Sequence, residues 1–186
     1  MNYRKATLAD LDTFFDFFAK SLKKYFLRQE GSTDDYTSLA LDYMCDEDFN
    51  KSYFKKGIRS RNKIIYLAID DNNICGYLIV EKLDGGVSFG EWLAVDNNYQ
   101  KRGTAISLLK MWENEVLKWG GHMVYVYTEK RNLEFYKNRG FTLMGLVPKS
   151  WYGADHYLFY KTLQEPKEEN YLREYLKKRK HRTCNI

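Results

Sequence analysis

Six residues in the middle of this chain have the types and spacing to hold an anion: Gln100-Lys101-Arg102-Gly103-Thr104-Ala105. They follow the apolar run Leu93-Ala94-Val95 after four loop-like residues, and they open a segment with helical apolar spacing. The first N–H groups of a helix have no intrahelical acceptor and form the positive end of its dipole. With Lys101 and Arg102 beside them, such a turn suits a pyrophosphate. Gly103 lets a ligand approach the backbone where a Cβ would otherwise stand. Two other phosphate motifs are excluded, because neither G-x-x-x-x-G-K-[ST] nor G-x-G-x-x-G occurs. His122, His156 and His181 have no metal-ligand spacing, and Cys45, Cys75 and Cys184 form no C-x-x-C pair. No metal is expected.

The elements that position this turn can be traced on either side of it. Thr7 with Asp10 reads as a helix N-cap with an acid in the first turn. Leu8, Leu11, Phe14, Phe15, Phe18, Leu22 and Phe26 then recur at helical spacing, a core-facing stripe. A second, looser helical stretch runs from Leu39 to Ile58. Residues 63–69 and 74–82 read as a strand pair around the turn Asp70-Asp71-Asn72-Asn73. A strand over 87–95, a helix from about Arg102 to Trp119 and a strand over 123–127 form a βαβ unit with a right-handed crossover. A short helix ending near Arg139 and two strands, 142–147 and 151–162, complete the order. Such an order makes an α/β (α+β) fold, a mixed central sheet of about seven strands with helices on both faces.

Composition bounds the rest. The 186 residues are 44% hydrophobic and 17% aromatic, which fits a packed domain rather than disorder. No apolar run approaches the roughly 20 residues of a membrane span. The scattered, odd set of cysteines points to a reducing, cytoplasmic setting. The net charge of +5 is uneven: from Glu165 onward seven Lys/Arg face four acids, which leaves +2 for the remainder. Residues 1–164 therefore read as the domain and 165–186 as a basic, helical C-terminal tail. That tail packs on the domain or a partner subunit, touches nucleic acid, or is a solvated helix end.

The turn also resembles the acetyl-CoA-binding motif Q/R-x-x-G-x-G/A of the GNAT superfamily of N-acetyltransferases, with Gln100, Gly103 and Ala105 at its specified positions. Trp92-Leu93-Ala94-Val95-Asp96 is similar to that family's fourth strand. Thr128, Asn132, Phe135-Tyr136 and Gly140-Phe141 resemble a second block downstream, and Tyr3 to Leu11 the first strand and helix start. The resemblance covers roughly Asn2 to Leu163 and implies the GNAT acyl-CoA N-acyltransferase fold.

What the resemblance implies is acetyl transfer from acetyl-CoA to a primary amine by direct attack. Lys101, Arg102, Thr104 and their neighbours in the turn would hold the pyrophosphate. The backbone of Leu93, Ala94 and Val95 would pair with the pantetheine arm, and the Val95 N–H would meet the developing oxyanion. Asn132 would contact the cofactor arm. Glu91, four residues before Val95 and so on its face by strand parity, is the candidate general base. A strand glutamate in an ion pair or facing solvent is the alternative. Tyr136 is the candidate general acid, since a phenol near pKa 10 can protonate a thiolate near 8.5; a buried helix aromatic is the alternative. Tyr152, Asp155 and Tyr157 would meet a cationic acceptor, or serve hairpin and core packing. The acceptor is expected to be a small-molecule amine, or a protein N-terminus or lysine. A homodimer is left open; neither nucleic acid nor membrane is expected as a partner. The competing readings are a protein or ribosomal-protein N-terminal acetyltransferase, and a non-catalytic acyl-CoA-binding module whose tail binds nucleic acid.

Overall fold

A computed structural model describes residues 1–27 and 34–167. The tail from residue 168, including its expected helix, lies outside the described residues. Seven strands form one mixed sheet: β1 (Asn2–Lys5), β2 (Lys63–Asp70), β3 (Asn73–Lys82), β4 (Val87–Val95), β5 (Met123–Thr128), β6 (Thr142–Val147) and β7 (His156–Thr162), in the order β1-β2-β3-β4-β5-β7-β6. The helices are α1 (Leu11–Phe26), α2 (Asp34–Tyr43), α3 (Lys51–Ser60), α4 (Thr104–Lys118) and α5 (Leu133–Lys137). Two compact units divide the chain, Met1–Glu81 with Glu91–Leu109 and Lys82–Gly90 with Lys110–Ile186, so β4 and α4 run through both.

In the first unit, β1, β2 and β3 pair antiparallel. Asp10 starts the helical layer. It accepts from Thr7 N at 2.7 Å and holds Arg4 by two bonds of 2.7 and 2.6 Å. The apolar stripe of α1 buries Phe14, Phe18 and Leu22 completely. Phe14 and Phe18 meet Tyr77 of β3 at ring separations of 5.4 and 5.8 Å, and both meet Phe54 of α3 at 5.1 Å. The loosely periodic stretch from Leu39 to Ile58 is not one helix. A wide turn at Met44–Asp48 ends α2, and the Asn50 side chain caps α3 by accepting from Tyr53 N at 2.9 Å.

In the second unit, β4 and β5 pair in parallel from Val87↔Met123 to Gly90↔Val126. Trp112 of α4 packs on this pair, fully buried, and donates to Ser88 Oγ at 2.9 Å. On β7 and β5 the register runs from Met123↔Thr162 to Thr128↔Tyr157. The last strand begins at His156 rather than Trp151. Residues Trp151–Gly153 form a 3₁₀ turn, with Tyr152 at φ +55 and Ser150 N bonded to Ala154 O at 2.8 Å.

Candidate active site

The expected anion turn lies between β4 and α4, in the first unit. Asp96 caps the bend by accepting from Asn98 N at 3.0 Å, and Thr104 Oγ1 bonds back to Tyr99 O at 3.2 Å. The Gln100 side chain donates to Val95 O at 3.0 Å and to Asn97 Oδ1 at 3.1 Å. It therefore clasps the turn to the end of β4. Lys101 and Gly103 have φ of +59° and +84°, and a Cβ built on Gly103 would meet no atom within 4 Å. Left-handed residues in such a turn aim successive N–H groups into one concavity. The 15-residue helix α4 adds its positive end, and Arg102 sits over the Tyr99 ring at 5.7 Å. The turn thus has open space, donors and positive charge in one place. Leu93, Ala94 and Val95 are half-buried, and the β4–β5 ladder, ending at Gly90↔Val126, includes none of them.

Glu91 belongs to the same unit and is deeply engaged. Its side chain is 5% exposed. One oxygen, Oε1, accepts from Lys63 Nζ in an ion pair and from Tyr53 OH at 3.3 Å. The other, Oε2, is buried with no donor among the described residues. Burial pushes the carboxyl up; Lys63 pulls it down; Glu81 raises it again, by its charge and by the hydrogen bond a protonated Glu91 would give it. Tyr53 is itself pushed up by burial and by the charge of Glu91, so it stays a donor.

The strand-parity argument for Glu91 does not hold. Lys63 pairs with Glu81, which shares a face with Tyr77 and therefore with α1 and α3. Glu91 reaches Lys63 on that face, and Trp92 also packs there, 6.2 Å from Phe18 and 5.5 Å from Tyr25. Val95 lies over Gly76 on the other face, its Cγ2 3.3 Å from where a Cβ would stand. Strict alternation therefore breaks between Glu91 and Trp92. The Val95 N–H is a backbone group, so the proposed oxyanion donor does not depend on side-chain parity.

In the second unit, Tyr136 of α5 is 6% exposed and packs on Phe135, Phe141 and Phe159 at 5.1, 5.3 and 5.8 Å. Burial pushes its phenol up. The spacing Tyr136-x-x-x-Gly140-Phe141 has a purely structural source. Phe141 N bonds to Tyr136 O at 3.2 Å, Gly140 N bonds to Lys137 O at 3.0 Å, and Gly140 has φ +77. That is a Schellman helix stop, completed by the Tyr136–Phe141 ring contact. Asn132 donates to Thr128 Oγ1 at 3.0 Å, tying α5 to the end of β5. Asp155 is exposed and accepts from Lys149 N at 2.9 Å, closing the turn that holds Tyr152; Tyr157 is half-buried within β7. Among the described residues no group of three metal-ligating side chains occurs, and no helix is long and apolar enough to cross a membrane.

Lys63, Tyr53 and Glu81, the groups around Glu91, were not among the site residues expected from sequence. One signal was present: Lys63 is a lone charge opening the apolar strand Lys63-Ile64-Ile65-Tyr66-Leu67.

The architecture is a mixed seven-stranded sheet whose parallel pair, β4 and β5, is connected through the turn at Gln100 to Ala105 and the helix α4. Residues 61–143 match the family model of the acetyltransferase (GNAT) domain. No curated protein matches the chain in sequence. Among solved structures, the PaiA N-acetyltransferase from Thermoplasma acidophilum, in complex with coenzyme A, is 18% identical with a TM-score of 0.71, covering 87% of this chain and 98% of its own. The ribosomal-protein-S18-alanine N-acetyltransferase from Escherichia coli is 13% identical with a TM-score of 0.63, covering 90% and 96%. An aminoglycoside 6'-acetyltransferase of type Ii is 17% identical with a TM-score of 0.62, covering 90% and 100%. The family match thus spans the segment from residue 61 to residue 143, and the fold is the one these acetyltransferase structures share.

Proposed function

We propose that this protein is an N-acetyltransferase that uses acetyl-CoA to acetylate a primary amine. The observation that carries the reading is the turn from Gln100 to Ala105, with left-handed Lys101 and Gly103, open space at Gly103 and the N-terminus of α4 behind it. These residues fit a pyrophosphate. Acetyl-CoA, when bound, supplies an acetyl group as a thioester. The N–H groups of the turn, with Lys101 and Arg102, hold the phosphates, and the backbone of Leu93 to Val95 pairs with the pantetheine arm. The Val95 N–H stabilises negative charge on the carbonyl oxygen.

Glu91 removes a proton from the acceptor ammonium. Burial raises its carboxyl above the ordinary range, which narrows the gap to an amine near pKa 10. Its Oε2, without a protein donor, is the oxygen that takes the proton. As the N–C bond forms and the C–S bond breaks, Tyr136 protonates the departing sulfur, and the second proton that the nitrogen loses in becoming an amide returns through solvent to the Tyr136 phenolate. Its buried phenol keeps that proton at every physiological pH. Asn132 steadies the cofactor arm, and Tyr152, Asp155 and Tyr157 contact the acceptor.

The experiment is calorimetric titration with acetyl-CoA followed by acetylation of three panels: polyamines, aminoglycosides, and peptides with free N-termini and lysines. Binding with turnover of a small amine is expected. Turnover confined to peptide N-termini would replace the small-amine acceptor by a protein one. Absence of acetyl-CoA binding would refute the reading.

A further inference from the structure

The Lys63 side chain is 5% exposed, in a place where an ammonium is expensive unless it is paired. It is paired unevenly. Its Nζ bonds to Glu91 Oε1, stands 3.8 Å from Glu81 Oε2 and lies over the Tyr53 ring at 4.7 Å. Gly57 of α3 permits this approach, because a Cβ there would stand 2.8 Å from the Cβ of Lys63.

The charged and titratable groups facing Glu91 are Lys63 from β2, Glu81 from β3 and Tyr53 from α3, with Asp48 acting on Tyr53 from the turn before α3. Two carboxylates therefore share one ammonium. A purely structural pair needs one acid, and a second one favours taking up a proton. The Glu81 side chain is 39% exposed and can keep its charge in water, whereas that of Glu91 is 5% exposed. A proton taken up by the pair therefore goes to Glu91, on the oxygen Lys63 does not occupy.

We infer that Lys63 is a positioning residue for Glu91. Forked between Glu91 and Glu81, it fixes one carboxylate oxygen, directs proton uptake to the other, and sets the pH at which Glu91 becomes a base. This rests on the reading of Glu91 as the general base.

The test is the pH dependence of kcat/KM, whose acid limb reports the free enzyme's base. Lys63→Met removes the positive charge, so the limb should move up by about one pH unit or more. Glu81→Gln removes a neighbouring negative charge at a partly exposed site, so the limb should move down. Opposite shifts are the expected result. Thermal stability supplies a second readout. A carboxyl whose folded pKa lies above its unfolded value stabilises the fold at low pH and loses that contribution as pH rises. Lys63→Met should therefore lose more stability at pH 8 than at pH 5. If Lys63→Met does not fold, Glu81→Gln decides alone. An unmoved limb in Glu81→Gln, or a Lys63→Met variant slowed equally at every pH, would overturn the inference. Glu91→Gln separates the two claims. If it abolishes the limb while Lys63→Met and Glu81→Gln leave it in place, only the role of Lys63 fails. If it keeps the wild-type limb, the reading of Glu91 itself fails.

Discussion

Gly103 offers a perturbation in which folding and binding move in different directions. Its φ of +84° costs a non-glycine residue about 1–2 kcal/mol. A Cβ there meets no atom within 4 Å, so no clash is added. In a chain of 186 residues, each kcal/mol is about 2–4 °C of Tm. Gly103→Ala should therefore lower Tm by about 2–8 °C. Gly103→Glu carries the same strain, but its carboxylate stands at the positive end of α4, which returns about 0.3–1 kcal/mol. It should fold at least as well as the alanine variant. Against a pyrophosphate the sign reverses. One like-charge pair at about 5–6 Å in an effective dielectric of about 20 costs about 3 kcal/mol before salt screening. Half of that remaining after screening is about a tenfold loss of affinity. Differential scanning fluorimetry and calorimetric titration with acetyl-CoA measure the two effects separately. Gly103→Glu binding acetyl-CoA as tightly as wild type, with Tm in the stated range, would refute the assignment of this turn to the phosphates.

Tyr136→Phe keeps the ring that completes the helix stop and removes only the hydroxyl. We expect Tm to hold and kcat to fall at least about tenfold; an unchanged kcat with chemistry rate-limiting would leave Tyr136 as the packing partner of Phe141 and nothing more. Asp10 is held well below the usual carboxylate range chiefly by its hydrogen bonds from Arg4, aided by Thr7. A depressed carboxyl stabilises the fold above its unfolded pKa and loses that contribution as pH falls. Asp10→Asn should cost about 1–2 kcal/mol at pH 7, with the gap to wild type closing below about pH 4 in pH-dependent chemical denaturation. A gap that stays constant down to pH 2 would contradict the pairing.

The parts of the site legible in the sequence are those made by backbone. The turn from Gln100 to Ala105, the bounds of β4 at Val87–Val95 and the stop after Tyr136 follow from glycine, capping and apolar period, which act within a few residues. The bounds that differ have local causes of the same kind, but weaker ones. Asn50 is an N-cap inside a stretch whose periodicity reads through it, and Tyr152 adopts a left-handed φ that the sequence Trp151-Tyr152-Gly153 gives little reason to expect.

The cluster around Glu91 is different in kind, because it depends on register. The hairpin turn at Asp71–Asn72 has both residues at positive φ, the geometry of a two-residue β-hairpin, and it sets Asp70 opposite Asn73. Counting back residue by residue from that pair would place Lys63 opposite Val80. The register instead shifts by one where Ala68 pairs with Gly76 and Ile69 with Ile74, leaving Cys75 as the extra residue, and Lys63 comes opposite Glu81. A one-residue slip exchanges the faces of a strand. Without the shift at Cys75, Glu81 would sit on the other face from the Lys63 ammonium. Without the second irregularity, between Glu91 and Trp92, Glu91 and Trp92 would part to opposite faces, and one of them would leave the layer of α1 and α3. Two local departures from strand alternation, neither marked by a sequence motif, thus bring one ammonium and two carboxylates onto a single face, where the charge balance of Glu91 is decided.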